Sequence, residues 1–197
     1  KGHYELVKSY SSDPNIREVK ILLGPKPRTN EAGDVPITEE MSRKVWNDYY
    51  IPTLPGNVSV IDAPHPVPVR AAYEYVGEVA APGEWVTLMS SVKDHKDARR
   101  AQEFAEKHDP ETGKYHKSDV TVVYYPKDVV AHYKNREDEH NNDPISASAM
   151  REDIANMNLH HFLTNLPDKV RKKGEELLKI FNPGGIVGKW ADSTLDL

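Results

Sequence analysis

Four short runs of β-branched and apolar residues, at positions 19–23, 58–61, 85–89 and 120–124, recur between polar stretches and predict buried strands. Between them the apolar period lengthens to that of a helix. Thr38 is set to cap a helix whose first turn holds Glu39 and Glu40 and whose inner stripe is Met41, Val45 and Tyr49. Val69, Ala72, Tyr73 and Val76 form a second apolar face, and Ala98, Ala101, Phe104 and Ala105 form a third. Strands that alternate with helices predict an α/β fold with a parallel sheet covered on both faces.

Residues 109–117 and 135–144 are polar and punctuated by Pro or Gly, so they read as surface connections. A long helix is expected over residues 146–163. Another is expected over 167–181, with Val170, Leu177, Leu178 and Phe181 inward, stopped by Asn182-Pro183-Gly184-Gly185. The chain begins on a helical pattern, residues 2–10, where an alternating fold calls for a strand first. A strand preceding Lys1 is therefore expected.

Composition narrows the chemistry. The 197 residues are 38% hydrophobic and 29% charged, the balance of one globular domain. Neither a secretory signal nor an apolar run long enough for a membrane span is legible, which makes the cytoplasm the expected location. With no cysteine, disulfide and thiolate chemistry are excluded. A net charge of -5 argues against a nucleic-acid-coating surface but leaves room for a local basic pocket.

Such a pocket is suggested by Ile145-Ser146-Ala147-Ser148-Ala149-Met150-Arg151, where two hydroxyl residues precede a helix and an arginine follows in its first turn. Unpaired N–H groups and the positive end of the helix dipole favour a phosphate there, and Ser148 and Arg151 add donors. The plainer alternative is that Ser146 only caps a helix and Arg151 is solvated. Gly2-His3 has similar logic: glycine permits close backbone approach and the imidazole can donate to an anionic oxygen. Most such histidines are surface residues.

Together these features resemble the nucleotidylyltransferase superfamily, whose members carry a His/Thr-x-Gly-His motif after the first strand and Ile-Ser-Ser-Thr-x-x-Arg before a late helix. Gly2 to Lys8 looks like the first helix of phage-encoded members. Ala147 and Ser148 depart from the usual Ser and Thr, and the first motif's leading residue would precede Lys1. The resemblance implies a Rossmann-like doubly wound sheet of strand order 3-2-1-4-5 over residues 1–165, with residues 166–197 as a helix and tail packed on it.

It further implies that Gly2, His3, Ser146, Ser148 and Arg151 bind the nucleotide, with His3 and Arg151 catalytic. A nucleoside monophosphate, AMP before CMP, would pass from ATP or CTP to a phosphate-bearing acceptor, with Mg²⁺ held mainly through the nucleotide phosphates. Arg28, Arg43, Ser90 and Lys93 are candidates for the acceptor side, or simply solvated. Homo-oligomerisation stays open. A nucleotide-binding module without turnover, acting in assembly or regulation, is the alternative.

Three other patterns are set aside. Gly184-Gly185-Ile186-Val187-Gly188-Lys189-Trp190 has the wrong glycine spacing for a phosphate loop and no preceding strand. His160 and His161 are neighbours that face different ways on a helix, without the spaced carboxylates of a zinc site. Lys169, Arg171, Lys172 and Lys173 are balanced by Glu175 and Glu176, as on a solvated helix face.

Overall fold

Each of the four apolar runs forms a five-residue strand in the computed structural model, which describes residues 2–81, 86–90, 103, 120–124 and 147–185. Strand β1 (Val19–Leu23) pairs with β2 (Val58–Asp62), and β3 (Val86–Ser90) pairs with β4 (Val120–Tyr124). β3 and β4 run parallel, with Val86 opposite Val120 and Ser90 opposite Tyr124. Parallel neighbours need a crossover between them, and Glu103 within that stretch is helical. The architecture is mixed α/β. The third apolar face, at Ala98 to Ala105, and the two polar connections lie outside the described residues.

Helix α1 (Gly2–Ser11) follows the expected bounds closely. Thr38 caps α2 (Glu39–Val45) by accepting the Met41 N–H at 3.2 Å, which satisfies one of the unpaired amides of the first turn. The chain then runs through a π-helical turn at Trp46–Tyr50 and a 3₁₀ turn at Ile51–Thr53. Helix α3 (Pro68–Glu74) has proline in its first turn, where no N–H is needed, and passes into a π-helical turn at Tyr75–Val79.

The expected single helix over residues 146–163 is instead two: α4 (Ala147–Ala155) and α5 (Leu159–Thr164). Met157 between them takes a φ of 52°, and the Asn158 side chain caps α5 by accepting the His161 N–H at 3.3 Å. Asn156 and Asn158 offer the backbone alternatives to helical hydrogen bonds, and the reversal folds Ile154, Met157 and Phe162 onto one core. The expected helix over 167–181 also divides, into a 3₁₀ segment at Asp168–Lys173 and α6 (Gly174–Phe181). A side chain at Gly174 would collide with Leu163, so this helix approaches α5 at the closest distance a glycine allows.

The described residues fall into two units by internal contacts, one of residues 2–21, 25–60 and 147–185, the other of 22–24, 61–81, 86–90, 103 and 120–124. In the first, Val45, Ile154, Met157, Phe162, Leu166, Val170, Leu177 and Leu178 make the core. Phe162, Leu166, Leu177 and Leu178 are wholly enclosed, each contributing about 1.5–3 kcal/mol by leaving water. Tyr4 of α1 packs edge-on against Tyr50 in the same unit, and its hydroxyl hydrogen-bonds Thr53 Oγ1 at 2.7 Å. In the second unit, Ala72, Tyr73, Tyr75, Val76 and Ala80 pack with Leu22, Ile61, Val86 and Leu88. No helix among the described residues is long and apolar enough to cross a membrane.

Candidate functional site

Helix α4 presents two faces at 3.6 residues per turn. Met150, Ile154 and the following Met157 turn to the core, while Ser148, Ala149, Arg151 and Glu152 line a cavity. Arg151 is half-buried and its Nη2 donates to Ser148 Oγ at 3.1 Å, so the two residues singled out in the sequence meet within one turn. Its Nε–H is buried with no hydrogen-bond acceptor among the described residues, an arrangement that costs about 1–3 kcal/mol.

The opposite wall is a loop closed at its base by reciprocal hydrogen bonds between Arg28 and Ile37, at 2.9 and 2.7 Å. Within it, Gly33 takes a φ of 76°, donating to the Asn30 carbonyl at 3.1 Å, and the Asn30 side chain accepts the Asp34 N–H at 2.9 Å. Only glycine adopts that backbone at little cost, which fixes the turn. Val35 and Ile37 pack against the core beneath. The tip is tied to α4 by the Glu31 N–H, which donates to Glu152 Oε1 at 3.0 Å.

Thr29, Asn30 and Glu31 thereby join the α4 face around a cavity of about 350 Å³, within the range of small-molecule sites. Its chemistry is one guanidinium, two hydroxyls, an amide and two carboxylates. Anionic oxygens fit beside Arg151 and Ser148, and hydroxyl donors or a bridging cation fit beside Glu31 and Glu152.

The remaining sequence candidates are dispersed. Gly2 and His3 start α1, and His3 is not among the residues lining this cavity. His3 is exposed in surface, yet the protein around its ring disfavours the imidazolium and lowers its pKa from 6.5. Arg28 is exposed at the base of the loop, next to Thr29. Arg43 is paired with Glu39 one turn earlier on α2. Ser90 ends β3 in the second unit, and Ser146 and Lys93 lie outside the described residues.

Sequence reasoning missed the 29–31 segment and Glu152. The usable signal was turn chemistry, Asn30 with Gly33 and Asp34, which marks a tight loop but not what it faces. It also missed that His161 of α5 bonds through Nδ1 to Asp153 Oδ2 of α4 at 2.6 Å. Among the described residues no three His, Asp or Glu side chains cluster as metal ligands. No protein-family model, curated protein or solved structure matches the chain.

Proposed function

We propose that the α4 cavity holds the polyphosphate of a nucleoside triphosphate and that the chain is a nucleotidylyltransferase. The observation that carries this reading is the Arg151 guanidinium, which lines the cavity anchored on Ser148 Oγ in the first turns of α4, its buried Nε–H without an acceptor among the described residues. Backbone amides at the start of α4 and the fork of Arg151 are suited to oxygens of a β- or γ-phosphate. A doubly wound sheet of order 3-2-1-4-5 belongs to the same proposal.

In the reaction, an oxygen of a phosphate-bearing acceptor attacks the α-phosphorus in line. A new P–O bond forms as the bond to the β-phosphate oxygen breaks, and pyrophosphate leaves with that electron pair. The chain supplies no nucleophile. Arg151 and Ser148 hold the leaving pyrophosphate, and His3, by the resemblance noted above, donates a hydrogen bond that stabilises charge developing on the phosphoryl oxygens. Arg28, exposed beside Thr29, is the best placed of the acceptor-side candidates, since Arg43 is engaged with Glu39.

Glu31 and Glu152 fit a Mg²⁺ carried in on phosphates, because that ion commonly takes one or two carboxylates rather than a protein cage. When bound it neutralises phosphate charge. ATP is the first nucleotide to test and CTP the second, with nicotinamide mononucleotide among the acceptors. Calorimetry with each triphosphate, followed by pyrophosphate release over a panel of phosphorylated acceptors, tests the proposal. Binding with turnover is expected; absence of binding by both nucleotides sinks it. A binding module without turnover is favoured by one observation, that His3 is not among the residues lining the cavity, and binding without pyrophosphate release would establish it.

A further inference from the structure

Asp153 and His161 pair a buried carboxylate with an imidazole at the elbow between α4 and α5. Asp153 is 6% exposed and the His161 side chain 25%. We propose that this pair is a positioning device that sets the rotation of α4 about its own axis and so aims Arg151 into the cavity. The inference rests on the nucleotide-site reading given above.

Three observations carry it. The first is phase along the helix. Asp153 follows Arg151 and Glu152 directly but belongs to the buried side of α4, so it connects the cavity face to the core face through a single turn. The apolar contacts of Met150 and Ile154 resist separation of α4 from the core, and being non-directional they set its rotation less sharply than an oriented hydrogen bond. A 2.6 Å hydrogen bond from a ring to a carboxylate does have direction.

The second observation is that His161 is itself fixed. Its N–H donates to Asn158 Oδ1 at 3.3 Å, and its carbonyl accepts from Thr164 Oγ1 at 2.7 Å and Asn165 Nδ2 at 3.2 Å. On the other side, the Asp153 carbonyl accepts the Asn158 N–H at 2.9 Å, and the Ile154 carbonyl accepts Asn182 Nδ2 at 3.0 Å. The bond therefore joins two braced pieces of backbone.

The third is energetic. A buried carboxylate–imidazole pair adds little stability over apolar residues of the same volume, and the best attested use of such pairs is to fix geometry. Rolling α4 by about 20° would carry a group roughly 6 Å from the axis through about 2 Å, most of a hydrogen-bond length. Misplacement on that scale weakens phosphate contacts severely.

The test is a double-mutant cycle on the full chain, read by calorimetry with Mg·ATP and by the NMR signal of the Arg151 Nε–H. His161→Ala is expected to weaken ATP binding about tenfold, His161→Asn, which keeps a donor near the Nδ1 position, to stay within about threefold of the parent, and His161→Ala to have no further effect in an Arg151→Ala background. Should His161→Ala fail to fold, Asp153→Asn takes its place in the cycle. Equal binding by His161→Ala and the parent, or an undiminished His161→Ala effect when Arg151 is already absent, overturns the proposal. If the parent protein binds neither ATP nor CTP, the nucleotide reading fails separately. The positioning claim then stands or falls on whether the Arg151 Nε–H signal broadens in His161→Ala or is unchanged.

Discussion

The Glu31 backbone amide and the Glu152 carboxylate, 121 positions apart in the chain, meet in a 3.0 Å hydrogen bond that fastens the 28–37 loop to α4. Because it is exposed, the bond contributes modestly, on the order of 1 kcal/mol. Glu152→Ala should therefore leave the global unfolding midpoint nearly unchanged while accelerating hydrogen exchange at Glu31 and its neighbours. Glu152→Gln, which retains a carbonyl acceptor, should restore most of the protection. Unaltered exchange in Glu152→Ala would show that the loop is held by Val35 and Ile37 alone.

Arg151→Ala should weaken triphosphate binding by about one to two orders of magnitude, the cost of losing a charge-assisted pair. Arg151→Lys should recover little of it, since an ammonium cannot reproduce the planar fork that reaches both Ser148 Oγ and an anion. Ser148→Ala should cost less than Arg151→Ala. Isothermal calorimetry checks all three, and equal losses would mean that the guanidinium does not touch the nucleotide.

His3→Ala should lower turnover far more than ground-state nucleotide affinity if the imidazole acts on charge that develops at the phosphoryl oxygens. Parallel, small losses in kcat and in affinity would remove His3 from the reaction. Its lowered pKa keeps the ring neutral at pH 7 in the free protein. Acidification should also reduce stability. Below pH 6.5 the unfolded chain takes up the proton before the folded one does, so stability contributed by neutral His3 is lost as pH falls toward the depressed folded value.

At the alkaline end Tyr50 governs the response. Desolvation, with Tyr4 adding a smaller electrostatic effect, raises its pKa well above 10.0. Above pH 10 the unfolded chain ionises at this residue while the folded chain does not, and stability should decline by up to about 1.4 kcal/mol per pH unit. Tyr50→Phe should flatten that decline in denaturant titrations at successive pH values. Tyr10 and Tyr49, whose pKa values are also raised, would leave a residual slope.

Phe162 has no exposed surface and touches the core from α5, so Phe162→Ala should cost about 3–5 kcal/mol in chemical denaturation. A loss below about 1 kcal/mol would mean that the α5 core is not packed as described.

Strand positions and the Thr38 cap were legible because each depends on a few adjacent residues: β-branched runs favour pleated backbone, and a hydroxyl before Glu39 answers unpaired amides locally. The break between α4 and α5 was not, although Asn156 and Asn158 marked it, because the apolar period of Ile154 and Phe162 reads through the turn as one helix. Ser148 and Arg151 were found as neighbours on a turn, a local relationship. Thr29, Asn30 and Glu31 were out of reach, because their place beside α4 depends on a contact between distant parts of the chain and on the core beneath Val35 and Ile37. The Asp153–His161 bond was hidden for the same reason as the break it spans.

Met157 shows how narrow the acceptable alphabet becomes when two demands fall on one position. Its left-handed backbone favours Gly or Asn and penalises branching at Cβ, whereas its place in the core, 6% exposed and covering Gly185, asks for a bulky apolar chain. An unbranched, pliable thioether reconciles them. Replacement by Ile would strain the backbone, and replacement by Gly would relax it and leave a void. A saturation library at this site should therefore yield few stable variants, and a change at Gly185 that refills the void should be the commonest partner of a smaller residue there.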